Sequence, residues 1–308
     1  MKVLGIDTSN YTTSAALCHE GNIAANLKLP LPVASGQRGL RQSEAVFHHT
    51  RQLPRLLEQL LPDRELGMIG VSVTPRQAEG SYMPCFLTGK GFALAMGAAA
   101  GIPVKFFSHQ QGHIAAALYS AGKLELLKEK FLAFHVSGGT TEAVMVTPGP
   151  EGEPQAAILA QSLDLKAGQA VDRVGLMLGM DFPCGPQLER AALAWEGKIT
   201  VKPVLKGADC SLSGIENHCK AMLAQGHEPA EIACWCLEAI VAALDGMCRQ
   251  LLEEYGPLPV VFSGGVCSNS ILQKRLAQKY SACFATPEFS ADNAAGVAVL
   301  AYRSRLCK

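Results

Sequence analysis

Apolar and polar positions along the chain form short runs of two kinds. Lys2 to Ile6 is an almost unbroken apolar run, which predicts a buried strand. Thr12 to Cys18 and Ile23 to Leu29 read as two further strands, and His19-Glu20-Gly21-Asn22 between them is a hairpin turn signal. From residue 42 to 61 the period changes to that of a helix, with Ala45, Val46, Leu53, Leu56, Leu57 and Leu60 largely on one face. A short strand over Gly67 to Val73 leads into a loop rich in Pro, Gly and Ser from Thr74 to Pro84. A small-residue helix over Phe86 to Ala100 and a strand over Val104 to Phe107 follow.

The second half opens as the first does. Phe131 to Val136 reads as a strand, Ser137-Gly138-Gly139-Thr140 as a tight turn and Glu142 to Thr147 as the returning strand. Strand, polar-glycine turn, strand thus occurs at residue 3 and again at residue 131, an internal repeat of one supersecondary unit that predicts two related lobes facing a cleft. The stretch from Thr147 to Ala156, rich in Pro, Gly and Glu, reads as a surface loop. Helices are expected over 166–178, 186–196, 214–224, 229–254 and 270–279, a strand over Pro259 to Phe262, and a last apolar helix from Ala291 to Arg303. Strands alternating with helices place the chain in the α/β class.

Composition narrows this picture. The 308 residues are 48% hydrophobic, which supplies a large core and suits two lobes. Charged residues make up 18% and the formal net charge is zero, so the totals carry no basic footprint of a freestanding nucleic-acid binder. The eleven cysteines show no CxxC spacing and read as mostly buried thiols of a reducing compartment. The start, MKVLGIDTS, is no signal peptide, because Asp7 interrupts its apolar run. The stretch from Gly91 to Val104 is too short to span a bilayer and reads as a buried helix followed by a strand. A soluble, cytoplasmic protein with no membrane partner is expected.

Six places carry candidate chemistry, each beside a plainer reading. His109 and His113 are four apart directly after a strand, so on a helix both imidazoles can reach one metal; two half-exposed histidines at a helix start are the alternative. In Ser137-Gly138-Gly139-Thr140 the absence of Cβ atoms lets the backbone approach an anion, although a plain hairpin would look the same. Asp7-Thr8-Ser9 takes the equivalent place in the first half, where a carboxylate orders a reacting group or caps a turn. Ser263-Gly264-Gly265 runs into Ser268 and Asn269 at a helix start, suited to a ribose or to a helix cap. Asp172 can accept from ribose hydroxyls or be a solvated helix charge, and Asp292 can be a ligand or an N-cap. Trp195, Trp235 and the methionines read as packing, and His48-His49, pointing in two directions, as no metal site.

Taken in order along the chain, GIDTS, SHQQGH, VSGGTTE, AGQAVDRVGLMLG with FPCGP, CSLSG, FSGGVCSNS and ADNAAG resemble the TsaD/Kae-type family, the glycoprotease-like tRNA N6-threonylcarbamoyladenosine synthases. The resemblance implies a two-lobed actin-like ATPase fold (ASKHA, ribonuclease H-like) with a central cleft: an N-terminal lobe over 1–130, a C-terminal lobe over 131–290 and a closing helix over 291–308 near the cleft. It implies one divalent metal, iron or zinc, on His109, His113 and Asp292. It implies an adenine nucleotide or threonylcarbamoyl-AMP on His135, Val136, Ser137, Gly138, Gly139, Asp172, Gly185 and Asn269. The reaction implied is transfer of the threonylcarbamoyl group to N6 of the anticodon-adjacent adenosine of tRNA, with Asp7 orienting the acceptor or taking its proton. The partners implied are tRNA, bound through a complex, and TsaB-like and TsaE-like proteins, with a homodimer as a further expectation.

The chain departs from the family pattern at three places. Asn10-Tyr11-Thr12-Thr13 stands where acidic residues are usual, Thr140 replaces a histidine, and Cys184 replaces one glycine of PGGP. These leave open a non-catalytic nucleotide-binding paralogue, a carbamoyltransferase with a different acceptor, or a small-molecule kinase of the same fold. No HExxH motif supports proteolysis.

Overall fold

A computed structural model describes residues 1–9, 11–32, 40–61, 65–291 and 294–306; Asn10, Asp292 and Asn293 lie outside them. In chain order the strands and helices are β1 (Lys2–Asp7), β2 (Thr12–His19), β3 (Asn22–Pro30), α1 (Gln42–Leu60), β4 (Met68–Thr74), α2 (Phe86–Ala100), β5 (Val104–Ser108), α3 (His109–Ser120), β6 (Phe131–Val136), β7 (Thr141–Pro148) and β8 (Pro154–Gln161). There follow α4 (Ala167–Met177), α5 (Gly185–Leu193), β9 (Leu205–Lys206), β10 (Asp209–Cys210), α6 (Ser213–Ala224), α7 (Pro229–Tyr255), β11 (Val260–Ser263), α8 (Ser270–Tyr280), β12 (Cys283–Phe284), α9 (Pro287–Ser290) and α10 (Ala295–Arg303). Contacts divide the chain into two compact units. One comprises Met1–Glu129, Thr147–Ala156 and Ala291–Lys308, the other Lys130–Val146 and Ala157–Ser290.

The two units have the same sheet plan. The first sheet runs β3-β2-β1-β4-β5 and the second β8-β7-β6-β11-β12, written in matching order. In the first, β1 pairs antiparallel with β2 and parallel with β4. In the second, β6 pairs antiparallel with β7 and parallel with β11. The repeat read from residues 3 and 131 is therefore a repeat of topology. The turn between β2 and β3 has φ of 49° at Glu20 and 85° at Gly21, the doubly left-handed turn that matches strand twist.

In the first unit, Leu4 and Ile6 of β1 join Leu53, Leu56 and Leu60 of α1 and Ala93 of α2 in one core. The other face of β1 meets α10: a Cβ on Gly5 would stand 2.3 Å from the Ala294 carbonyl and 2.8 Å from Ala298 Cβ. Coverage on both faces explains why this strand is apolar throughout rather than alternating. In the second unit Phe134, Phe262 and Phe284 stack in series, with centroids 4.8 and 5.0 Å apart, in a core shared with α4 and α7.

Three expectations need correcting, and two short strand pairings had no sequence reading. Residues 147–156 are not all loop: β7 extends to Pro148 and β8 begins at Pro154, a proline tolerated at the first position of an edge strand. The helix α2 is buried on one face only, because Leu87 and Leu94 are 52% and 46% exposed; the glycines and alanines that made it read as wholly apolar say nothing of which face is covered. The pairs β9–β10 and β12–β11 involve two-residue strands with too little pattern to read. The last helix begins at Ala295, four residues later than expected. Among the described residues no helix is long and apolar enough to cross a membrane.

Candidate metal-binding and nucleotide-binding sites

The two histidines owe their placement to a helix cap. Ser108 ends β5, and its Oγ accepts the Gln111 N–H at 3.2 Å while Gln111 Oε1 accepts the Ser108 N–H at 2.7 Å. This reciprocal box, spelled Ser-x-x-Gln in the sequence, starts α3 at His109. His109 and His113 then share a face, and their Nε2 atoms lie 2.9 Å apart. Two nitrogens bound to one ion at about 2.0–2.1 Å stand about 2.9–3.3 Å apart, so the spacing fits a shared ion. The donor set, two imidazoles with a carboxylate expected at Asp292, suits zinc or iron with open coordination positions. Asp292 lies outside the described residues, and among those described no group of three metal-ligating side chains is present. Ala294, the next described residue after it, packs against Gly5, two residues before Asp7.

Asp7 stands behind His109. Its side chain is 1% exposed, and Oδ2 lies 2.9 Å from His109 Nδ1 and 2.5 Å from the Ser72 hydroxyl that donates to it. The Ser9 N–H donates to Oδ1 at 2.8 Å. Burial pushes the Asp7 carboxyl up, but His109 and the hydrogen bonds from Ser72 and Ser9 outweigh it and hold the group below the usual carboxylate range. Thr8 is structural: its Oγ1 donates to the Cys85 carbonyl and accepts the Gly89 N–H, tying β1 to the start of α2.

In the second unit the turn after β6 receives α4. The first two N–H groups of that helix are satisfied by the turn: Ala167 N–H donates to Thr141 Oγ1 and Gly168 N–H to the Ser137 carbonyl. A Cβ on Gly168 would stand 2.6 Å from the Gly138 nitrogen, so only glycine allows this approach. Beside the junction is a cavity of about 410 Å³, with Gly138, Asp172, Gly185 and Asn269 in its lining. Its glycines are of two sorts. A Cβ on Gly138 or Gly265 would meet nothing within 4 Å, and on Gly185 only Val171 at 4.0 Å, so these three leave room for a ligand rather than for packing. The remaining wall includes Val171, Pro186, Leu237 and Val266, apolar groups suited to a flat ring.

The polar groups of the cavity are partly committed. Asn269 Oδ1 caps α8 by accepting the Ile271 and Leu272 N–H groups, which leaves its Nδ2 hydrogens for a ligand. Asp172 Oδ1 accepts the Cys184 N–H at 3.0 Å, and burial pushes its carboxyl up against that bond. Cys184 fits because Gly175 faces it; a Cβ there would stand 2.2 Å from Cys184 Cβ. Four expected ligand residues do not line this cavity: His135, whose Nδ1 lies 3.2 Å from Ser263 Oγ, the buried Val136, Ser137, whose Oγ accepts the Thr140 N–H, and Gly139. Glu189 lines it and was not foreseen; Oε1 accepts both the N–H and the hydroxyl of Ser270. Its signal was the four-residue spacing from Gly185, one turn along α5.

The chain as a whole is similar to known proteins. The family model for TsaD, described as tRNA N6-adenosine threonylcarbamoyltransferase, matches residues 33–299. The chain belongs to the TsaD family. Two curated members of it bear the same description. One, from Thermus thermophilus, is 31% identical over 310 residues, covering 98% of this chain and 93% of its own. The other, from Aromatoleum aromaticum, is 30% identical, covering 97% and 90%. Among solved structures, component A of the Acidaminococcus fermentans (R)-2-hydroxyglutaryl-CoA dehydratase superposes with a TM-score of 0.57 over 98% of both chains at 14% identity. That likeness shows the fold alone: the TsaD-family chain has the actin-like ATPase fold.

The open glycines make a direct test of the cavity. Gly185→Ala is expected to leave thermal stability unchanged and to weaken AMP or ADP binding, measured by calorimetry. Asp172→Asn is expected to weaken it by about 10-fold or more, as loss of a hydrogen bond to a charged group implies. Unchanged affinity in both variants would place the nucleotide elsewhere.

Proposed function

We propose that the chain transfers a threonylcarbamoyl group from threonylcarbamoyl-AMP to N6 of the anticodon-adjacent adenosine of tRNA, with one divalent ion, iron or zinc, on His109, His113 and Asp292. The observation that carries the metal part is the convergence of the two Nε2 atoms at 2.9 Å in a TsaD-family chain. A bound ion would supply Lewis-acid polarisation of the substrate's carbonyl or phosphate. The adenylate is assigned to the glycine-lined cavity, with Asp172 accepting from the ribose hydroxyls and Asn269 donating through Nδ2. In the transfer the adenosine amine attacks the carbonyl carbon, the acyl–phosphate bond breaks with its electron pair on the departing oxygen, the amine gives up one proton to solvent, and AMP leaves.

The formal net charge of zero supports tRNA engagement through partners rather than by this chain alone. TsaB-like and TsaE-like proteins are the partners proposed, and a homodimer is the alternative assembly. The test is a reconstituted reaction. It contains unmodified tRNA, threonine, bicarbonate, ATP, the adenylate-forming synthase and the partner proteins, and the nucleosides are read by mass spectrometry. Threonylcarbamoyladenosine is expected. No product from folded, metal-loaded protein beside a working positive control would remove the tRNA assignment and leave a nucleotide-binding paralogue or a transferase with another acceptor.

A further inference from the structure

We infer that Asp7 is a positioning residue for His109 and does not touch the acceptor nucleoside. The inference rests on the metal reading above and changes the role of the carboxylate in the GIDTS segment. A general base must come within about 2.6–3.2 Å of the proton it takes. Asp7 is 1% exposed and its oxygens already hold three donors: Ser9 N–H on Oδ1, and Ser72 Oγ–H with His109 Nδ1 on Oδ2. An ionised carboxylate has acceptor sites and no hydrogen, so it selects the His109 tautomer that carries the proton on Nδ1. The Nε2 lone pair of His109 then faces His113 Nε2 at 2.9 Å, which is the arrangement a shared ion needs.

The hold on His109 is itself rigid. Ser72 lies on β4, the parallel neighbour of β1, and its hydroxyl reaches both Asp7 Oδ2 at 2.5 Å and the Ile6 carbonyl at 3.5 Å. Ser9 closes the carboxylate from the other side through its own backbone. Strand, turn and neighbouring strand thus hold the carboxylate through contacts that do not involve the helix bearing the histidines.

Asp7→Asn tests this in the full chain. An amide has one oxygen where the carboxylate has two. If that oxygen serves Ser9 N–H, the NH₂ group faces His109 Nδ1 and drives the proton to Nε2, which blocks the ion. Two readouts follow, with a melting curve as folding control. Nitrogen-15 histidine spectra of the metal-free wild type should show His109 protonated on Nδ1, and those of the variant a shift toward the Nε2 tautomer. Zn²⁺ affinity, measured against a chromophoric chelator, should fall about 10- to 100-fold. Two results would overturn the inference: a wild-type His109 protonated on Nε2, which needs no variant to be seen, or a folded Asp7→Asn variant that keeps its Zn²⁺ affinity within about threefold while transfer is lost. If the wild type takes up no ion at these histidines, the metal reading falls, and the tautomer measurement alone decides whether Asp7 sets His109.

Discussion

Gly296→Ala is expected to lower the melting temperature by on the order of 10 °C and to reduce metal uptake with it. A Cβ at this position would stand 1.8 Å from the Gly112 carbonyl oxygen and 2.9 Å from the Ala116 nitrogen, all backbone atoms of α3 that no rotamer change can move. The helices α3 and α10 must separate to admit it, at a cost of about 3 kcal/mol or more, a large share of the total stability of such a protein. Gly112 lies between His109 and His113, so the displaced segment is the one that carries both imidazoles. The control is Gly91→Ala on α2, where a Cβ meets nothing within 4 Å. Alanine's higher helix propensity should leave that variant as stable as the wild type or more so by about 0.4–1 kcal/mol. Equal melting temperatures for Gly296→Ala and wild type would show that the two helices do not pack this closely.

His113→Ala is expected to lower transfer by about 10³-fold or more, with little change in thermal stability because the side chain is only half-buried. Polarisation by a bound ion contributes several kcal/mol to the barrier, and about 4 kcal/mol corresponds to that factor. One of three proposed ligands would be gone, while His109 would keep its bond to Asp7. The measurement pairs metal content after purification with the reconstituted transfer rate. Retention of activity within about threefold in a variant lacking metal would remove the ion from the reaction. Loss of activity with metal retained would assign His113 to substrate instead.

Much of the architecture was legible in the chain because it rests on local rules. A run of small residues placed α2 over Phe86–Ala100 and the apolar run placed β6 over Phe131–Val136 at the bounds observed. The hairpin signal His19-Glu20-Gly21-Asn22 placed the turn whose two central residues, Glu20 and Gly21, take positive φ. Two of the three proposed metal ligands were legible as a pair, since a spacing of four on a helix puts two histidines on one face whatever the tertiary context. The recurrence of strand, glycine turn and strand announced the repeated sheet plan.

Local pattern failed where the deciding contact was distant or one-sided. β8 begins at a proline beside a Gly- and Glu-rich turn, and only its place at the sheet edge makes it a strand. The exposed side of α2 cannot be read from alanines and glycines, which suit either face.

By itself the sequence determined the class, the repeat, most elements, the histidine pair and the family, because periodicity, caps and motif order are properties of neighbours along the chain. Tertiary structure alone decided what Asp7 touches, since its partner His109 is 102 residues away. It also separated the glycines that permit packing, such as Gly168 and Gly296, from those that leave a cavity open, such as Gly138 and Gly185. The physical reason is common to both: a side chain's chemistry is set by which atoms occupy its surroundings, and those atoms come from segments whose spacing in the chain carries no record of the contact.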